Sequence, residues 1–216
     1  MGELEHIKSA CRAVVRGRLA TVTAAERDRQ SRCICAFIQT QPWFLSAASL
    51  MAYVPLGDEP DITPLIAAAL SRGVAVAFPS VDWDAKTLTP QWIDRWPCAL
   101  RADRHGVQVP AQPATGPGSG REIGVETGGE HPQVVLLPGV AFDDRCRRLG
   151  RGGGFYDRYI AHRRQTAADG AKRVFAAGIA LEAHMLDAVP VGPLDERLDG
   201  VVCPTRVVVA SDTSLG

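Results

Sequence analysis

Residues 133–160, QVVLLPGVAFDDRCRRLGRGGGFYDRYI, place an apolar run, a glycine-rich loop and a helix start in one continuous stretch. The run 134–137 is short and rich in β-branched residues, which predicts a buried strand. Pro138-Gly139 stops it. Four arginines then fall within seven residues (Arg145, Arg147, Arg148, Arg151), and four glycines within five (Gly150, Gly152, Gly153, Gly154). Residues 155–160, Phe-Tyr-Asp-Arg-Tyr-Ile, can begin a helix that packs back on the strand.

Strand, glycine loop and helix N-terminus together form a general anion-binding device. Glycines let backbone N–H groups approach a phosphate without an intervening Cβ, and the helix end adds partial positive charge. Arginines add permanently charged, bidentate donors that match phosphate oxygens. The glycines are not followed by Lys-Ser/Thr and are not spaced GxGxxG, so neither a P-loop nor a dinucleotide fingerprint is present. By composition alone the stretch also suits a surface loop solvated by arginines.

The chain has 216 residues, enough for a sizeable core, and its 24 Lys+Arg balance 24 Asp+Glu. Zero net charge argues against bulk binding to nucleic acid or a membrane surface. No apolar run approaches the roughly 18 residues of a membrane helix, and the charged N-terminus is unlike a secretory signal. The six cysteines show no CxxC pair and the five histidines no metal spacing. Reduced thiols in a cytoplasmic protein are the expectation.

Before the central stretch, apolar spacing predicts a helix over 3–20, with Lys8, Arg12 and Arg16 in a row four apart. Such a row suits a solvated face as well as a phosphate-binding one. Thr23-Ala-Ala-Glu26 fits a capping box for a helix to about residue 37. A strand is expected over 50–54. A helix over 63–72 follows, with Pro64 at its first position and Gly73 as its stop. The next strand, 74–78, ends at Pro79. Residues 81–96 suggest short strands or a hairpin whose tryptophans are packing aromatics. Residues 112–132 read as a long exposed loop within one domain spanning 1–216. Further strands are expected over 174–179, 201–203 and 207–210, with a helical turn over 184–188. The alternation of helix and strand predicts an α/β fold with an open, mostly parallel sheet flanked by helices.

Three carboxylates stand apart. Asp157 lies in the first turn after the glycines, and Asp195 follows the Pro190 loop; one or two carboxylates with nucleotide phosphates is a common way to hold Mg²⁺. A first-turn aspartate is also simply favourable to the helix dipole, by about 0.3–1 kcal/mol, so Asp157→Asn is expected to leave the fold intact. Glu59 follows a strand, where open α/β sheets place ligands, and equally suits a solvated turn.

Pro138-Gly-Val-Ala-Phe-Asp143 and Arg148-Leu-Gly-Arg-Gly-Gly-Gly-Phe-Tyr-Asp-Arg158 resemble the signature of the 5-formyltetrahydrofolate cyclo-ligase family. Four further motifs follow that family's order: Lys8-x-x-x-Arg12, Tyr53-Val-Pro with Glu59-Pro-Asp61, Val76-Ala-Phe-Pro79, and Asp195 with Leu198-Asp199-Gly-Val-Val. The resemblance implies a sheet similar to the ribose-5-phosphate isomerase and CoA-transferase-like folds. It also implies an enzyme acting on two small molecules, ATP and a reduced folate, with Mg²⁺; a monomer is the default expectation. Lys8, Arg12 and the run Arg148, Leu149, Gly150, Arg151, Gly152, Gly153, Gly154, Phe155 and Tyr156 would hold ATP, with Arg148, Arg151 and Tyr156 nearest the chemistry. Asp157 and Asp195 would hold the metal, and Val54 and Glu59 the pterin.

The sequence departs from the family pattern at several places. Cys146 replaces a usual glycine, Val109 the glutamate of Gly-Ile-x-Glu-Pro, His184 a common glutamine, and Cys203-Pro204 a Thr-Glu. Arg151 stands where an aromatic or basic residue is common. Two other functions compete with the enzyme: a non-catalytic folate- or nucleotide-binding protein of the same fold, and a sugar-phosphate enzyme with no use for ATP.

Overall fold

The computed structural model describes residues 2–114, 132–166 and 174–211. Helix α1 (Glu3–Leu19) opens the chain, and Thr23 caps α2 (Ala24–Gln39) by accepting the Glu26 N–H at 3.2 Å. The reciprocal half of the expected capping box is not made, because the Glu26 carboxylate turns to Arg29 and Gln30. The short α3 (Pro42–Leu45) leads into β1 (Ser49–Met51), shorter than expected, and α4 (Thr63–Ser71) follows. Pro64 sits second in α4, still among the N–H positions with no intrahelical partner. Gly73, at φ +84°, ends α4 in a conformation that a Cβ would strain.

Strand β2 (Ala75–Asp82) runs on through Pro79, where the sequence had predicted its end. Its parallel pairing with β1 stops at Ala77, and beyond that only β3 (Thr87–Ile93) pairs with it, antiparallel. Pro79 faces Pro90 across that hairpin, so the two residues lacking an N–H share one rung. A ribbon of β4 (Leu100–Ala102) and β5 (Gln108–Pro110) comes next. Residues 115–131, most of the predicted 112–132 loop, lie outside the described residues.

The remaining elements are β6 (Val134–Leu137), a ribbon of β7 (Ala141–Phe142) and β8 (Arg148–Leu149), α5 (Phe155–Thr166), β9 (Phe175–Ile179), a 3-10 turn (Glu182–His184), β10 (Gly200–Val202) and β11 (Val207–Val209). Seven strands form one sheet in the order β11-β10-β9-β6-β1-β2-β3. The five inner strands are parallel, and β3 and β11 close the edges antiparallel. This is the predicted α/β class.

Both faces of the sheet are covered, as parallel sheets require. Successive β6 side chains point to opposite faces and all four are buried. Val134 and Leu136 pack with Ile34, Ile38 and Ile66 from α2 and α4; Val135 and Leu137 pack with Phe142 and Ile160. Each such side chain removed from water is worth roughly 1.5–3 kcal/mol. Helix α1 packs elsewhere, through Val15, against Ala141, Leu149 and Val189. That contact lays its basic row beside the glycine loop.

Candidate active site

The carboxyl ends of β1, β2 and β6 lie side by side, and a cavity of about 330 Å³ opens there. Tyr53 and Val54 enter from the end of β1, Pro79 and Val81 from β2, and Pro138 and Gly139 from β6. This is where open α/β sheets bind ligands. The remaining wall is the loop that carries Arg148, Gly150, Arg151, Gly153, Gly154, Phe155 and Tyr156.

The loop is held by charge as well as by backbone. Gly152 at φ +106° and Gly154 at φ +64° take it through left-handed conformations into α5. Arg148 is almost fully buried; its Nη2 donates to Asp157 Oδ2 at 2.7 Å and its Nη1 to the Pro138 carbonyl at 3.4 Å. Its guanidinium lies 5.6 Å from the Tyr156 ring centroid, and its Nε is buried without a partner. Arg12 Nε donates to the Gly150 carbonyl at 3.1 Å, so α1 grips the loop from outside.

Glu59 lines the cavity beside Tyr53, Val54 and Leu56 and is 6 % exposed. Its Oε2 accepts the Leu56 N–H at 2.9 Å, and its Oε1 accepts from Arg151 Nη2 at 3.2 Å. Burial raises its pKa, against the opposing pull of the Leu56 N–H and of Arg151. Arg151 also meets Asp58 at 2.7 Å, so one exposed guanidinium spans two adjacent carboxylates. Burial pushes the phenols of Tyr53 and Tyr156 upward, with the Glu59 charge adding to it, and both stay neutral.

The two candidate metal ligands are brought near one another, each already facing a cation. Asp195 pairs with Lys8 and accepts the Gly192 N–H at 2.6 Å. Asp157 pairs with Arg148, and its Oδ1 accepts from the backbone N–H of Glu196, the residue after Asp195. Among the described residues no group of three His, Cys, Asp or Glu could cage a metal unaided.

Of the predicted ATP and folate residues, Val54, Glu59, Arg148, Gly150, Arg151, Gly153, Gly154, Phe155 and Tyr156 line the cavity. Lys8, Arg12, Gly152, Asp157 and Asp195 stand outside its walls. The Leu149 side chain is 2 % exposed and belongs to the core under α1. Sequence reasoning missed Trp83, read as a packing aromatic. Its ring lies on the cavity wall, 4.9 Å from Phe155 and 3.9 Å from His105, with Nε1 donating to Asp103 at 2.7 Å. Gln108 is a second missed polar wall residue. Trp83 sits in no motif and Gln108 fills the unspecified position of Gly106-Val-Gln-Val-Pro110; the β2–β3 hairpin and the β4–β5 ribbon bring them over the site.

The profile of the 5-formyltetrahydrofolate cyclo-ligase family matches residues 5–204. The chain belongs to that family. Among cyclo-ligase relatives, the 5-formyltetrahydrofolate cyclo-ligase of Mycolicibacterium smegmatis is 31 % identical over 94 % of this chain and 96 % of its own. The mitochondrial cyclo-ligase of Arabidopsis thaliana is 28 % identical over 93 % of this chain and 75 % of its own. The solution structure of Aquifex aeolicus 5,10-methenyltetrahydrofolate synthetase superposes with a TM-score of 0.72, at 24 % identity, over 97 % of this chain and 96 % of that one, and shares the fold. No helix among the described residues is long and apolar enough to cross a membrane.

Against the cyclo-ligase pattern, the departures now have places. Cys146 takes φ +59° while 1 % exposed, so a residue with a Cβ occupies a left-handed turn that suits glycine. Val109 is buried and outside the cavity walls, which Val107 and Gln108 supply instead. His184 is buried; its Nδ1 accepts the Leu181 N–H at 3.0 Å, and its ring also hydrogen-bonds the Asp58 backbone. Burial lowers its pKa to about 4.

The unfolded chain therefore takes up a proton near the ordinary pKa of about 6.5, which the folded protein refuses until about pH 4. Stability from this group is complete above pH 6.5 and falls as pH drops toward 4, by about 2 kcal/mol at pH 5. A glutamine could accept the same N–H without titrating. His184→Gln is expected to lose less Tm than the wild type between pH 7 and pH 5. Equal losses in thermal melts would remove His184 as the cause.

Proposed function

We propose that the protein uses ATP and Mg²⁺ to convert 5-formyltetrahydrofolate to 5,10-methenyltetrahydrofolate, releasing ADP and phosphate. The observation that carries this reading is one cavity lined by apolar side chains and the buried Glu59 and walled on its remaining side by the arginine- and glycine-rich loop. A flat heterocycle with N–H donors suits the first part, and a phosphoryl group the second.

The formyl oxygen is a poor leaving group. Transfer of the γ-phosphoryl group of ATP to that oxygen makes it a good one. N10 of the folate then attacks the formyl carbon and loses its proton, and the C–O bond breaks as phosphate departs. Phosphoryl transfer mainly needs positioning and charge neutralisation. Arg148 and Arg151 supply fixed positive charge at the cavity wall, and the loop glycines leave backbone N–H groups accessible. Tyr156 and Phe155 flank the reacting groups, with Val54 against the pterin. Glu59 accepts hydrogen bonds from the pterin N–H edge. Lys8 and Arg12 neutralise phosphates from α1.

The donor set fits a magnesium ion held jointly by protein and nucleotide. Asp157 and Asp195 come from adjoining segments, and phosphate oxygens would complete the shell. When bound, the ion would neutralise phosphate charge. The reading is of a cytoplasmic monomer whose partners are these small molecules.

The test is absorbance of the methenyl product when purified protein meets 5-formyltetrahydrofolate. Growth only with Mg·ATP is the expected result. Growth without nucleotide, or none from protein that binds both ligands, refutes the reading; the second result favours a non-catalytic binding protein.

A further inference from the structure

A second cavity, of about 460 Å³, lies behind Arg151 and is not used by the chemistry described above. Its charged wall consists of Arg12, Arg16, Arg27 and Arg151 against one carboxylate, Asp58. Three of these guanidiniums come from α1 and α2, and the fourth is shared with the substrate cavity. Four like charges around one space repel one another unless an anion joins them.

Their partners are distributed unevenly. Along α1, Lys8, Arg12 and Arg16 form a row four residues apart, spanning roughly 12 Å from first to last. Lys8 is matched by Asp195, and Arg12 by the Gly150 carbonyl. The Arg16 side chain has no hydrogen bond or ion pair among the described residues. Nε of Arg27 is buried and has no partner among the described residues, although a buried donor left unpaired is destabilising.

We propose that Arg16 and Arg27 bind the phosphate chain of the nucleotide, extending the anion site from the glycine loop into this second cavity. The proposal rests on the ATP-dependent reading above. Arg12 on its wall bonds the Gly150 carbonyl of the loop, and Arg151 lines both cavities, so the second cavity adjoins the loop beside which the transferred phosphoryl group would sit. No aromatic side chain lines it, so it offers a base nothing to stack on. Its chemistry is that of an oligophosphate.

The test is calorimetric titration of the full-length protein and of Arg16→Gln and Arg27→Gln, using inorganic tripolyphosphate, Mg·ATP and 5-formyltetrahydrofolate in turn. Each substitution is expected to raise the Kd of tripolyphosphate and of Mg·ATP by about 10-fold or more, the value of a charge-assisted hydrogen bond, with folate affinity unchanged. Arg16 is exposed, so its variant keeps the test valid if Arg27→Gln does not fold. Wild-type affinity for both phosphates in the variants overturns the subsite and leaves the ATP reading standing. Weakened folate binding with phosphate affinity intact also overturns it, and assigns the cavity to the carboxylates of the folate tail. A wild-type protein that binds neither phosphate refutes the ATP reading itself.

Discussion

Asp157→Asn is expected to lower thermal stability and Mg·ATP-dependent turnover together. From its place in the first turn of α5, the carboxylate is worth only the helix-dipole contribution of about 0.3–1 kcal/mol, and the fold should be indifferent to its loss. The structure gives it a heavier task. Among the described residues Asp157 is the only carboxylate paired with Arg148, whose side chain is 5 % exposed, and the pair is too deep for solvent to screen. Taking one partner from a buried pair leaves an uncompensated charge, at about 3–5 kcal/mol. Asparagine keeps one acceptor, which favours the lower end of that range.

For a chain of this length about 3 kcal/mol corresponds to a Tm fall of roughly 6–12 °C. Thermal melts against wild type read this directly, and an unchanged Tm would show that the pair contributes nothing. Turnover measured well below the melting range, across a Mg·ATP titration, tests the second half. Wild-type turnover there would remove Asp157 from the metal site.

Glu59→Gln is expected to raise the KM for the reduced folate about 10- to 100-fold, the range of a lost hydrogen bond to a charged group. KM for ATP should hardly move. The separation follows from the wiring of Arg151: when Glu59 loses its charge, the guanidinium retains Asp58 at 2.7 Å and the loop keeps its anchor. Glutamine still offers an oxygen to the Leu56 N–H, so the turn that presents residue 59 survives. Steady-state kinetics with each substrate varied in turn separate the outcomes. An unchanged folate KM would show that Glu59 does not touch the pterin.

Much of this site is legible in the chain because it is local. The β6 run, the Pro-Gly stop, the glycines and the first turn of α5 are neighbours in sequence, and their chemistry follows from residue type and spacing. Glu59 could be placed because it follows a strand. What was not legible depends on distant pairing. The β7–β8 ribbon has two residues per strand, too few for a period to register. Strand β2 outruns Pro79 because its neighbour across the hairpin also offers a proline, which a reading of residues 74–79 alone does not contain. Trp83 is an ordinary aromatic until the Asp103 turn and Phe155 hold it at the cavity. Leu149 was counted with the loop it adjoins, although its side chain faces the α1 contact.

The ion pair between Lys8 and Asp195 has a consequence for how the protein is made. The two residues are 187 positions apart. Helix α1 leaves the ribosome well before residue 195, and its ammonium must wait for that carboxylate. Domains fold largely as units during synthesis, at roughly 5–20 residues per second. A nascent chain halted before residue 195 can therefore pair strands of the sheet but cannot clasp α1 to the loop at Asp195. The phosphate-facing side of the molecule therefore closes fully only after residue 195 has been made.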